Sequence, residues 1–97
     1  MIRARFLPPA EEEMIEAAAF YEAAAEGLGH DFLNDIQRII DLLLDHPTIG
    51  RDVGGSLRQA LLKRFPHYLI YSFELDSILI IAVAHQRRRP DYWRGRG

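Results

Sequence analysis

Cysteine is absent from the 97 residues. That excludes a disulfide framework and any zinc site built on thiolates, and it accords with a reducing cytoplasm. The four histidines, His30, His46, His67 and His85, are too widely spread to show metal-ligand spacing. Neither a metal nor a cofactor is expected. No apolar stretch approaches the ~20 residues that a membrane-spanning helix needs. The N-terminal MIRARFLPPA has no long apolar segment and no small-residue cleavage site, so it does not read as a signal peptide. Lysine is nearly absent too: the basic residues are eleven arginines and one lysine, a bias towards planar, bidentate contacts with phosphate or carboxylate.

The composition, 48% hydrophobic and 27% charged with 7 glycines and 5 prolines, is that of an ordinary globular chain. Its length predicts one domain spanning residues 1–97. The formal net charge of -2 conceals a division by segment. Pro9 to His46 carries ten acids against one base, and His85 to Gly97 carries five arginines against one acid.

Residues 2–7 alternate imperfectly and are closed by Pro8-Pro9, which predicts a short first strand. Glu11, Glu12 and Glu13 stand where acids favour a helix N-terminus, and the alanine-rich run after them consists of strong helix formers. Met14, Ala18, Tyr21, Ala25 and Leu28 define one face of that helix. Gly27-Leu28-Gly29 breaks it. A second helix is predicted from about Asp31 to Asp45, with Phe32, Ile36, Ile39, Ile40 and Leu43 as its stripe and Asp35 among the polar residues pointing elsewhere. So short a break makes the two helices antiparallel neighbours.

Thr48 to Ser56 is expected to be a glycine-rich loop. Beyond it the period becomes that of strands: Leu57 to Phe65, Tyr68 to Phe73, a tight turn at residues 74–77, then Ile78 to Ala84. The last run is β-branched at Ile78, Ile80, Ile81 and Val83, so it reads as a central strand covered on both faces. The order β-α-α-β-β-β predicts an α+β domain. Its antiparallel sheet would carry the first strand added along it and the helical hairpin on one face.

The apolar run stops at His85, followed by Arg87, Arg88, Arg89, Pro90, Tyr92, Trp93 and Arg94. An imidazole suits proton transfer, but a strand-end histidine also suits a hydrogen bond to backbone. The arginines suit a phosphate, an acidic partner or the developing charge of a phosphodiester, and a solvated tail equally. Tyr92 could stack on a base. Trp93 is expected to fold back and plug the open end of the core. Arg58 and Arg64 have the same parity and would share a face of an unbroken strand, adding charge to the sheet.

Several strings in this order resemble the RelE/ParE superfamily, the toxin halves of bacterial type II toxin-antitoxin modules. They are GLGHDF at residues 27–32, DHPTIGRDV at 45–53, LRQALLKRFPHYLIYSF at 57–73 and IAVAHQRRRPDYWRGR at 81–96. The last is similar to the ParE-like, plasmid-stabilisation branch. The resemblance implies a cytoplasmic toxin held inactive by a cognate antitoxin, touching operator DNA only through that antitoxin. ParE-like members inhibit DNA gyrase by binding; RelE-like members cut mRNA in the ribosome; a member that has lost toxicity persists as an antitoxin-binding module. A surface working against ribosomal RNA is usually strongly basic, and this chain is net acidic, so gyrase inhibition is the expectation and mRNA cleavage the alternative. The expected binding surface is Arg58, Arg64, His85, Arg87, Arg88, Tyr92 and Arg94. On the nuclease reading alone, His85, Arg58, Arg64, Arg87 and Tyr92 would be catalytic.

Overall fold

The computed structural model describes residues 2–96; Met1 and Gly97, included in the expected domain, lie outside the described residues. Strand β1 (Arg3–Phe6) leads into helices α1 (Pro8–Ala24) and α2 (Leu28–Asp45). Strands β2 (Arg51–Gly54), β3 (Leu57–Leu61), β4 (His67–Glu74) and β5 (Ser77–His85) follow. One sheet runs in the order β1-β5-β4-β3-β2. The expected antiparallel meander is there in β3, β4 and β5, extended by β2 at one edge. At the other edge β1 lies parallel to β5, so the sheet is mixed. The α+β class and the helical hairpin are as expected.

Pro8 and Pro9 do more than end β1. They open α1, at positions where a helix has no use for the missing N–H groups, three residues before the predicted start. Helix α2 also starts early. Its first turn is secured by the preceding helix, because Glu22 accepts from the N–H groups of Gly27 at 2.9 Å and Gly29 at 3.0 Å. A side chain at Gly29 would lie 2.5 Å from the Ala18 carbonyl oxygen, so the hairpin needs glycine there to close.

The stripe Phe32, Ile36, Ile39, Ile40 and Leu43 is buried as predicted, against Leu69, Tyr71, Ile78, Ile80 and Val83 of the sheet. Asp35 is not where the helical pattern puts it. It is buried, accepting from Arg38 Nε at 3.1 Å and from the backbone N–H of Arg64 at 2.9 Å. That second bond holds a bend after β3, which therefore ends at Leu61 and not at Phe65. Arg58 and Arg64 do not share a strand face.

The glycine-rich segment predicted as a loop contains β2, joined to β3 through Gly55 (φ 66) and Ser56 (φ 63). Two left-handed residues in succession make the tight turn that suits hairpin twist. Before β2, the buried Tyr71 hydroxyl donates to Pro47 O at 2.8 Å and accepts from Gly50 N–H at 3.0 Å. Tyr71→Phe strands both backbone groups, and is expected to lower the unfolding free energy by about 1–3 kcal/mol in urea titration. An unchanged midpoint would show that water replaces the hydroxyl freely.

The β4–β5 ladder carries one irregularity: Ile70 pairs with Ala82 but Tyr71 with Ile80, leaving Ile81 as an extra residue on β5. Before it, Ile78 and Ile80 face the hairpin; after it, Val83 does. Ile81, Ala82 and Ala84 join Tyr68 and Ile70 on the opposite face, which Trp93 covers.

Candidate functional site

At the end of β5, His85 stands opposite His67 of β4, their rings 4.9 Å apart and edge to face. His67 is buried beside Phe32 and Tyr21, whose hydroxyl lies 3.5 Å from its Nδ1. Burial, with a smaller contribution from the charge on His85, lowers the His67 pKa to about 4. It is an uncharged wall at neutral pH. His85 Nδ1 accepts from the backbone N–H of Arg87 at 2.9 Å, which assigns the ring proton of the neutral imidazole to Nε2. In that tautomer the Nε2–H is left as a donor.

The chain then turns through Pro90 and Asp91 and lies back across the sheet. Trp93 is 3% exposed, with its indole N–H 3.5 Å from the Tyr68 hydroxyl; it folds back as expected, but it covers the sheet face away from the hairpin rather than an open end of the main core. On either side of it the arginines diverge. Arg94 donates to the carbonyls of Val53 and Gly54 at the end of β2, pairs with Asp91, and lies over the Trp93 ring. Arg88 and Arg96 turn the other way, to α1.

There they meet Glu13. Its Oε2 accepts from Tyr92 Oη at 2.7 Å, Arg96 Nη2 at 3.0 Å and Arg88 Nη1 at 3.3 Å; its Oε1 accepts from Arg96 Nη1 and Val83 N–H, each at 3.0 Å. Burial by itself would raise this carboxyl, but the hydrogen bonds from Arg96, Tyr92 and Val83 together outweigh it and hold the pKa below the usual carboxylate range. The effect on the donors is reciprocal. Burial first, then the Glu13 carboxylate, push the Tyr92 phenol well above the usual tyrosine range.

Glu13, Arg88 and Tyr92 form one wall of an open cleft of about 350 Å³, with Ala17, Phe20 and Tyr21 of α1 on another and His67, Val83 and His85 at its base. Apolar surface with a few placed polar groups is the usual make-up of a binding cleft. Phe20 is 70% exposed at its rim. Among the described residues, no group of three or more His, Cys, Asp or Glu side chains converges as a metal site requires.

Of the seven residues expected to form one surface, His85, Arg88 and Tyr92 gather here, with the exposed Arg87 beside them. Arg94 reaches the end of β2. Arg58 is turned to the Thr48 and Gly50 carbonyls at 3.1 and 2.8 Å, bracing the chain before β2. Arg64 lies 3.9 Å from Asp31 of α2, in a separate cluster. Glu13, Arg96, His67 and Tyr21 are additions that sequence reasoning did not single out.

The family model described as ParE toxin of type II toxin-antitoxin system, parDE, matches residues 4–90. Among solved structures, a chain of the chromosomal ParDE TA system from P. aeruginosa superposes with a TM-score of 0.63 at 15% identity, over 88% of this chain and 96% of that one, a likeness of fold. No curated protein sequence matches significantly.

Proposed function

Given that the chain belongs to the ParE toxin family of type II toxin-antitoxin systems, we propose that it arrests growth in the cytoplasm by binding DNA gyrase, and that a cognate antitoxin neutralises it. The observation that carries inhibition over hydrolysis is the prior commitment of the groups a nuclease would use. Tyr92 Oη is bonded to Glu13, His85 Nδ1 to backbone, and Arg58 to two carbonyls. Cleavage of a phosphodiester needs a base and an acid free to exchange protons with the reacting oxygens. These side chains hold the protein's own structure instead.

The charge distribution supports the same reading. Exposed arginines are concentrated in the segment after β5 and acids in the helical hairpin, a pattern suited to orienting a protein partner. Phe20 and Ile15, 70% and 58% exposed on α1, supply apolar surface for the antitoxin to cover, with its acidic side chains meeting the arginines. Operator DNA is then reached only through the antitoxin.

The test is a pair of assays on purified protein, gyrase supercoiling and mRNA cleavage in a programmed ribosome. Supercoiling is expected to stop while mRNA stays intact, and added antitoxin should restore it. Cleaved mRNA with unaffected gyrase would replace this reading with the RelE-type one. Continued growth when the folded protein is expressed alone would point to an antitoxin-binding module without toxicity.

A further inference from the structure

Strand β1 stops at Phe6, opposite Ile80, so past that point the β1–β5 register supplies β5 with no strand neighbour. Two backbone groups of β5 beyond it are bonded all the same. Val83 N–H donates to Glu13 at 3.0 Å, and the Ile81 carbonyl accepts from Arg96 Nη1 at 3.1 Å. Glu13 and Arg96 are themselves joined by two bonds of 3.0 Å, Nη1 to Oε1 and Nη2 to Oε2. A carboxylate that accepts and a guanidinium that donates do for this edge what a neighbouring strand's peptide groups would do.

The same carboxylate also takes Tyr92 and Arg88, and the Arg88 guanidinium lies 3.8 Å from the centre of the Tyr92 ring. Three side chains between residues 88 and 96 therefore converge on one side chain of α1 that is 12% exposed. Trp93 already fastens the middle of this segment to the other face of the sheet. What Glu13 adds is the placement of its two ends.

We infer that Glu13 is a positioning residue: it fastens the segment from Arg88 to Arg96 along the open edge of β5 and so sets how that segment meets the inhibited target. The docking half rests on geometry alone, and the functional half on the target-binding reading above. Bonds to a charged group that is shielded from water are the strong ones, so removing the charge loosens the ends without dislodging Trp93.

The experiment compares the whole protein with its Glu13→Gln and Arg96→Ala variants. Glu13→Gln keeps the side chain's size; Arg96→Ala leaves Val83 its partner and serves if the first variant folds poorly. Initial tryptic cleavage after residues 87, 88 and 94 is expected to quicken about tenfold in either variant with the far-UV circular dichroism unchanged. Gyrase inhibition is expected to weaken about tenfold in parallel. Cleavage at the wild-type rate in both variants would overturn the docking, and faster cleavage with undiminished inhibition would overturn the positioning. Should the unaltered protein leave gyrase untouched, the target reading fails separately, the tryptic arm stands, and growth arrest on expression replaces supercoiling as the second readout.

Discussion

Trp93→Ala is expected to lower the unfolding free energy by about 3–5 kcal/mol, the range for removing a buried aromatic from a packed core. The indole is the largest side chain on the face of the sheet away from the hairpin. The small Ala82 and Ala84 of β5 lie in its cluster with Tyr68, Ile70 and Ile81. A domain of this size has only about 5–15 kcal/mol in total, so the change falls between a much lower urea midpoint and loss of folding at room temperature. Because Trp93 is the only tryptophan, the variant must be followed by circular dichroism. A loss under about 1 kcal/mol would mean that the C-terminal segment hardly contributes to the core.

Acid should be nearly as damaging, and through one side chain. The folded His67 takes its proton only near pH 4, whereas an unfolded chain takes it near 6.5. Between these values the unfolded state binds the extra proton, so stability is complete above about pH 6.5 and falls as the pH falls. From pH 7.5 to 5 the loss attributable to His67 is about 2 kcal/mol, trimmed somewhat by water at the cleft mouth. The ring is faced by Tyr21 of α1, Phe32 of α2 and His85 of β5. His67→Phe should therefore remove that slope while keeping the aromatic packing. Glu13, whose pKa is lowered, acts in the same direction but only in the carboxylate range, where its contribution disappears as the pH falls through its folded value. Urea midpoints at pH 7.5 and 5 for the wild type and His67→Phe separate the two. Parallel curves would assign the acid sensitivity elsewhere.

Much of the architecture is legible in the sequence because it is periodic. The stripe of α2 and the β-branched run of β5 bury what they should, and the break at Gly27 to Gly29 folds the hairpin. Part of the site is legible for another reason: His85, Arg88 and Tyr92 stand close together just past the end of a strand. What escapes is long-range and polar. Glu13 is one of three consecutive glutamates with nothing local to mark it, and its partners lie 70 to 83 residues away. Asp35 occupies a position that helical periodicity makes polar, and it is buried because a backbone N–H 29 residues later needs an acceptor. That one bond ends β3 early and separates Arg64 from Arg58. Strand β2 was hidden by glycines, which mark a turn and a loop equally well.

The extra residue at Ile81 splits β5 into two stretches that are out of phase. In the first, even-numbered side chains turn to the helices; in the second, odd-numbered ones do. Paired in regular alternation without that bulge, the same residues would keep Ile78 and Ile80 in the core yet carry Val83 and His85 round to the tryptophan side. The cleft would lose two of the three residues at its base, keeping only His67. The bulge thus decides which side chains of the strand's second half face the cleft, while the first half keeps its place in the core.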